Sequence, residues 1–215
     1  QVTFKTLPDF LPANGLVAWY PFNGNAKDES GNKNDGVVYG AVPIPDRFNN
    51  PGKAFSFNGK NQYIDLKSNP NLALSPITIS GWFKNSPGSI THINVLVRLR
   101  YNGYVIYIDG GGRLGISYHA GNEIQFISSV NYNDGKWHQV VMTFENRALK
   151  LYVDGVFIFS QAGSSNTLSY VFGGIAIGRD GNADTAYFDG ALDDFAFWNR
   201  ALSENEIVIL YNSIY

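Results

Sequence analysis

The chain has 215 residues, of which 44% are hydrophobic and 16% charged, a composition typical of a globular protein with a large core. Its net charge of -2 gives no positive field for phosphate backbones, which argues against nucleic acid as a partner. It has no cysteine, so disulfides and thiolate metal sites are excluded. No apolar run approaches the roughly 20 residues that a membrane-spanning helix needs, so we expect no membrane insertion.

Short apolar or alternating segments recur along the chain and are separated by clusters of Gly, Asn, Asp and Pro. This pattern predicts many strands joined by turns. The strands predicted in the first half are Leu16 to Phe22, Ala54 to Phe57, Tyr63 to Leu66, Ile77 to Phe83, Val95 to Leu99, Val105 to Ile108, Leu114 to Tyr118 and Ile124 to Ser128. Those predicted in the second half are Trp137 to Phe144, Ala148 to Val153, Ile175 to Ile177 and Gly190 to Trp198.

Two local signals refine this pattern in the second half of the chain. Asp154-Gly155 is a two-residue hairpin turn flanked by alternating apolar residues, which indicates antiparallel strands with one buried face. Ser203, followed three residues later by Glu206, is typical of a capping box and predicts a short C-terminal helix.

The pattern as a whole predicts an all-β fold, a two-sheet antiparallel β-sandwich jelly roll with a short C-terminal helix. Composition does not shift within the chain, so we expect a single domain over residues 15–215. Residues 1–14, which contain two prolines, are predicted to form an N-terminal linker or edge segment.

Four segments together resemble the laminin-G-like jelly roll of the concanavalin A-like lectin and glucanase superfamily, the group that also holds the pentraxins. They are GLVAWYPFNGNAKDESGNKNDG at 15–36, KAFSFNGKNQYIDL at 53–66, DGKWHQVVMTFENRALKLYVDG at 134–155 and IGRDGNADTAYFDGALDDFAFWNRALSENEI at 177–207. The resemblance implies two antiparallel sheets of about six or seven strands each, one of them curved to give a concave face.

A calcium site is the first functional prediction. The turn-rich stretch from 23 to 34 is dense in Asp, Asn and Ser, whose oxygens are the ligands that Ca²⁺ takes. In the proteins that the chain resembles, this loop meets a late acidic pair, here Asp193 and Asp194. The ligands expected on this basis are Asp28, Asn34 and Asp193, with Asn25, Ser30 and Asp194 as further candidates.

The calcium prediction has one refinement and one alternative. Adjacent residues of a strand face opposite sides, so only one of the late pair is expected to point at the metal, and we favour Asp193. Asn, Asp, Ser and Gly at this density also form turns by bonding their own backbone, without any metal.

A ligand-binding face is the second prediction. Alternation in Val95 to Arg100 places Arg98 and Arg100 on one side, and unpaired arginines cannot enter a core, so they are expected on the outer, concave face. Aromatic rings beside arginine guanidinium groups are suited to binding sugars, because the faces of a sugar ring are apolar and its edges carry hydroxyls. The predicted ligand residues are Arg98, Arg100, Tyr104, Tyr107 and His119, with Ser117 and Gln125 as outward neighbours. The alternative is an ordinary solvated face with its arginines paired to acids.

Catalysis is not expected. The glucanases of this superfamily use a Glu-x-Asp-x-x-Glu strand, and the five glutamates of this chain, at 29, 123, 145, 204 and 206, do not form one. We therefore predict a calcium-binding, lectin-like carbohydrate-binding module of a secreted or cell-surface multidomain protein, with a poly- or oligosaccharide as ligand. The alternative is a protein-interaction or adhesion module with a structural calcium and an extracellular protein as its partner.

Overall fold

The computed structural model describes residues 7–72, 75–86, 93–99, 103–120, 122–165, 174–180 and 186–213. These residues contain strands β1 to β15, a short 3-10 helix at Pro70–Leu72 and the helix α1 at Glu204–Asn212. The strands are β1 Leu16–Tyr20, β2 Val37–Tyr39, β3 Val42–Ile44, β4 Ala54–Asn58, β5 Tyr63–Asp65, β6 Ile77–Asn85, β7 Asn94–Leu99, β8 Tyr104–Ile108, β9 Arg113–Ala120, β10 Asn122–Asn131, β11 His138–Glu145, β12 Ala148–Val153, β13 Val156–Ala162, β14 Ile175–Ile177 and β15 Asp189–Trp198.

The described strands form two antiparallel sheets. An eight-stranded sheet runs in the order β13-β12-β11-β6-β15-β4-β3, with β1 also pairing to β15. A seven-stranded sheet runs in the order β10-β9-β8-β7-β14-β5-β2. Neighbours such as β6 and β15 are far apart in sequence, and these crossovers make the fold a jelly roll rather than a meander. The predicted two-sheet sandwich is confirmed.

The main core lies between the two sheets, where alternate residues of each strand meet. Tyr118 of the seven-stranded sheet stacks on Phe144 of the eight-stranded sheet, with ring centroids 4.1 Å apart. Phe195 packs over Gly81 on the neighbouring strand, where a Cβ would lie 2.7 Å from its ring. Each fully buried aromatic or aliphatic side chain of this kind contributes about 1.5–3 kcal/mol, so this layer supplies most of the driving force for folding.

A second apolar cluster covers the far side of the eight-stranded sheet. Helix α1 contributes Ile207 and Leu210, which pack with Trp198. The indole Nε1 of Trp198 donates to the carbonyl of Pro12 at 2.7 Å, so the described residues of the predicted N-terminal segment lie against the sandwich. The predicted C-terminal helix is confirmed, and no helix among the described residues is long and apolar enough to cross a membrane.

Candidate ligand-binding site

A cavity of about 520 Å³ lies on the outer face of the seven-stranded sheet. Along β7, β8 and β9 the inward residues, such as Ile106 and Ile116, fill the core, so the residues between them point outward. The register aligns Val105 with Ser117, and Ser117 with Gln125, across three strands. The lining includes Val95, Arg98, Val105, Tyr107, Ser117, His119, Glu123, Gln125, Asp180 and Ala186.

Arg98 enters this cavity already paired. Its Nε lies 3.2 Å from Oδ1 of Asp180, and its Nη1 donates to Oδ2 of the same carboxylate at 3.2 Å. Two parallel bonds of this type hold the planar guanidinium in one orientation. The arginine is therefore a fixed hydrogen-bonding group and not a mobile surface charge.

A second acidic group, Glu123, lies on β10. Its Oε1 accepts a hydrogen bond of 2.7 Å from Oγ of Ser117 and lies 3.6 Å from Nε2 of His119. The cavity lining thus holds the two carboxylates of Asp180 and Glu123 against the one arginine, a formal charge of -1 with His119 neutral and zero with it protonated. Among the described residues that line the cavity, positive charge is not in excess.

Tyr107 is buried in the floor of the cavity, where it packs with Val95 and Val105. A Cβ added at Gly115 would overlap the ring and lie 2.7 Å from the phenolic oxygen, so the end of the ring lies directly over this glycine of β9. Gln125 donates to the phenolic oxygen at 3.1 Å and fixes it across two strands. Burial raises the pKa of the Tyr107 phenol, which therefore keeps its proton as a hydrogen-bond donor.

Arg98, Tyr104, Tyr107 and His119 all line the cavity as predicted, but the side chain of Tyr104 is buried on the core side of the sheet. Tyr104 points into the main core and its hydroxyl donates to the carbonyl of Leu72 at 3.1 Å. Tyr104 and Tyr107 are three residues apart on one strand, so they necessarily face opposite sides. Arg100 lies outside the described residues.

Glu123 and Asp180 are part of the cavity but were not predicted as ligand-face residues. Asp180 meets Arg98 across 82 positions of sequence, a contact that only the pairing of β14 with β7 creates. Glu123 faces the same side as the predicted Gln125 because the two are two residues apart on β10. That spacing was the available signal for Glu123.

The predicted calcium loop is closed by its own backbone. Oδ1 of Asp28 accepts hydrogen bonds from the amides of Trp19, at 3.0 Å, and Ser30, at 2.9 Å, and Oδ2 accepts the amide of Asn34 at 2.9 Å. The side chain of Asn25 accepts the Lys27 amide at 2.8 Å. This arrangement is the turn geometry described as the alternative to a metal loop.

The late acidic pair has a different partner. Nη1 of Arg47 lies 2.8 Å from Oδ2 of Asp193 and 2.6 Å from Oδ2 of Asp194. The same guanidinium lies over Trp82, 4.4 Å from the ring centroid. Burial, followed by the charge of Asp194, raises the pKa of Asp193 well above its usual value.

Both neighbouring carboxylates reach one nitrogen because the strand is not regular here. The register of β15 shifts between Asp193 and Ala196, and Asp194 has a φ of 49°. A bulge with one residue in the left-handed region turns the second side chain to the same side as the first. The expectation that only one of the pair would face the site is therefore corrected.

These groups do not fit a calcium ion shared between the two segments. The carboxylate of Asp28 is engaged by three amides, and both carboxylates of the late pair are bonded to the guanidinium of Arg47. Over the residues that the structure describes, no three His, Cys, Asp or Glu side chains are grouped so as to hold a metal. Calcium binding stays a prediction.

Comparison with known proteins agrees with this architecture. Residues 58–208 match the Laminin_G_3 family, described as concanavalin A-like lectin/glucanases superfamily. A 117-residue stretch, 52% of this chain, is 27% identical to the human adhesion G-protein coupled receptor D1. The chain covers only 13% of the length of that receptor.

Two solved structures share the fold. Domain 4 of AbnA, a GH43 extracellular arabinanase from Geobacillus stearothermophilus in complex with arabinotriose, superposes with a TM-score of 0.74 at 20% identity, over 92% of this chain and 98% of that one. The binding domain of Paraclostridial Mosquitocidal Protein 1 has a TM-score of 0.73 at 23% identity, over 92% of this chain and 52% of the other.

Proposed function

Since this chain belongs to the Laminin_G_3 family of the concanavalin A-like lectin/glucanase superfamily, we propose that it is a non-catalytic carbohydrate-binding module of a secreted or cell-surface protein. The cavity on the outer face of the seven-stranded sheet holds a neutral oligosaccharide. The observation that carries this proposal is the lining of the 520 Å³ cavity, in which an apolar floor that includes Tyr107 is bordered by fixed polar groups. The arabinotriose complex of the AbnA domain lends support from a protein of the same fold.

The chemistry of the lining suits a sugar. The ring of Tyr107, only 5% exposed, packs with Val95 and Val105 into an apolar floor on which the C–H face of a monosaccharide can lie. Ser117 and His119 stand side by side along β9, two residues apart on the outward face, and supply hydrogen-bonding groups at the edge of the sugar. The paired guanidinium of Arg98 presents donors in a fixed plane to adjacent hydroxyls.

The charge of the lining selects among sugars. An acidic sugar would bring its carboxylate next to Asp180 and Glu123, whose charges outnumber that of Arg98. Bringing a charge into a partly desolvated site without a counter-charge is costly. A neutral sugar avoids this cost, and its hydroxyls can donate to both carboxylates.

The proposal is tested by titration calorimetry with arabinotriose, cellotriose, mannotriose and sialyllactose. We expect at least one neutral trisaccharide to bind and sialyllactose to bind at least tenfold more weakly than that sugar. His119→Ala should weaken binding about tenfold, which corresponds to about 1.4 kcal/mol. Tyr107→Ala should weaken it further, because the aromatic surface is lost.

The matched control is Phe157→Ala on β13 of the other sheet, where the side chain is 49% exposed. This variant should bind as the parent chain does, and thermal melting of all variants checks that the fold is retained. Equal binding by His119→Ala, Tyr107→Ala and the parent would place the sugar elsewhere. If none of these sugars and no neutral glycan on an array binds, the carbohydrate proposal is wrong, and the similarity to an adhesion receptor would favour a protein ligand.

A further inference from the structure

A second, smaller cavity of about 180 Å³ lies on the same sheet, beyond β7. It is lined by Asp65, Lys67, Ser68, Gly174, Ile175, Ala176 and Arg179. The pairing of the strands relates it to the first cavity. Arg98, which lines the first cavity, is the direct partner of Ala176, which lines the second. The two cavities are therefore one strand interval apart.

A single short segment borders both cavities. Asp180 lines the first cavity and the preceding residue, Arg179, lines the second. The backbone of this segment is held in place, because the Asp180 amide donates to the carbonyl of Ala186 at 2.9 Å and Arg179 forms a bridge with Tyr187. This held segment therefore contributes one side chain to each of two adjoining cavities.

The registers place both cavities on one line across the sheet. Ser117 pairs with Val105, Val105 with Arg98, Arg98 with Ala176, and Ala176 with Asp65. These four strand intervals of about 4.8 Å give a path of about 19 Å. One interval is close to the length of a monosaccharide unit in an extended chain, so the path is about as long as four units.

Aromatic and cationic groups border the far end of this path. Tyr39 and Tyr63 stack with centroids 4.6 Å apart and planes 8° from parallel. The guanidinium carbon of Arg179 lies 3.7 Å from the Tyr63 centroid on the same outer face. A stack of this kind keeps the phenol and guanidinium groups rigid, so they lose little conformational entropy on binding.

We propose that the two cavities are subsites of one groove, in which a linear neutral oligosaccharide runs across the strands from Tyr107 to the Arg179–Tyr63–Tyr39 stack. This inference rests on the carbohydrate-binding function proposed above. The second subsite binds a sugar unit that extends beyond the first cavity. Asp65 and Arg179 form hydrogen bonds with the hydroxyls of that unit. The proposal therefore predicts that affinity depends on chain length.

The test is calorimetry with paired tri- and hexasaccharides of arabinose, xylose, glucose and mannose. For the sugar that binds, we expect the hexasaccharide to bind at least tenfold more tightly than the trisaccharide. Arg179→Ala should lower the affinity for the hexasaccharide to near that of the trisaccharide and leave the trisaccharide unchanged. Tyr39→Ala should act in the same direction, and His119→Ala should weaken both ligands.

Arg147→Ala is the matched control, since Arg147 is an exposed arginine in the β11–β12 turn of the other sheet. It should leave both affinities unchanged. Equal affinity for the two chain lengths, or an Arg179→Ala variant that loses the trisaccharide as well, would overturn the groove while leaving the first cavity as a sugar site. Failure of every oligosaccharide to bind would overturn both proposals.

Discussion

Asp193 accepts a hydrogen bond of 2.8 Å from Nη1 of Arg47, a residue 146 positions earlier in the chain. Both side chains are almost fully buried, with 2% of Asp193 and 6% of Arg47 exposed. The contact joins the loop after β3 to β15, an interior strand of the eight-stranded sheet. Arg47 thus supplies positive charge at the acidic pair to which the family resemblance assigns a cation.

The first prediction concerns this ion pair. Arg47→Met leaves the buried carboxylate of Asp193 without a counter-charge, so the free energy of unfolding should fall by about 3–5 kcal/mol. Urea denaturation at pH 7 measures this change. The control is Arg113→Met, whose partner is Asp109 and whose side chain is 50% exposed, with an expected loss below about 1 kcal/mol. A double variant, Arg47→Met with Asp193→Asn, should recover part of the lost stability. Equal losses in Arg47→Met and Arg113→Met would contradict the prediction.

The second prediction addresses calcium directly. Because the carboxylate of Asp28 accepts three backbone amides, Asp28→Ala should lower the free energy of unfolding by at least about 2 kcal/mol. The loss should be the same in millimolar calcium and in chelator. Asp35→Ala, which removes the single bond to the Asp28 amide, should cost less. A melting temperature that rises with calcium in the parent chain and not in Asp28→Ala would instead establish the calcium site.

The third prediction concerns pH and His138. Nδ1 of His138 lies 2.8 Å from Asp154 and Nε2 lies 3.1 Å from Asp134. Burial by itself would lower the pKa of this imidazole, but the hydrogen bonds and charges of Asp154 and Asp134 outweigh it, and the pKa is raised above 6.5. The folded state therefore binds the proton more tightly than the unfolded state does.

The sign of the effect follows from this raised pKa. The stabilisation is complete below the unfolded pKa and is lost as the pH rises through the folded pKa. We expect the difference in unfolding free energy between the parent and His138→Gln to be largest near pH 5 and to shrink toward pH 9. NMR titration of the imidazole gives the pKa, and Asp134→Asn should lower it. A difference that does not vary between pH 5 and pH 9 would exclude this role.

The fourth prediction concerns the start of helix α1. Ser203 accepts the amide of Glu206, and the Glu206 carboxylate accepts the Ser203 amide at 2.8 Å. Ser203→Ala should lower the free energy of unfolding by about 1 kcal/mol. The hydrogen bond from Arg200 is the main cause that lowers the pKa of Glu206 to about 2.

A carboxyl group whose pKa is lower in the folded state stabilises the fold at pH values above its unfolded pKa. This stabilisation is lost as the pH falls through the folded pKa. Stability contributed by Glu206 should therefore be present above about pH 4.5 and disappear toward pH 2. Comparing Glu206→Gln with the parent across this range measures it, and Glu204→Gln, in the same turn of the helix, is the control. A Glu206→Gln effect that persists unchanged at pH 2 would be inconsistent with this account.

Much of the fold could be read from local patterns. Alternation such as that of Leu149, Leu151 and Val153 determines which residues enter the core, because side chains of a strand alternate between two faces. The capping box at Ser203 determines where the helix begins, because both of its bonds lie within four residues. The short edge strands β2 and β3 were not predicted; neither has a buried residue, so no core-facing pattern marks them.

The candidate site depended on longer-range information. Arg98, Tyr107 and His119 were found because their outward side chains follow from strand periodicity, which is local. The ion pairs Arg98–Asp180 and Arg47–Asp193 were not found from the sequence. Strand order and the register shift in β15 bring together groups that lie 82 and 146 positions apart in the chain. Sequence alone therefore determined most of the elements and the outward positions of Arg98, Tyr107 and His119. Only the tertiary structure decided which charges neutralise one another, because a charge acts on its neighbours in space whatever their distance along the chain.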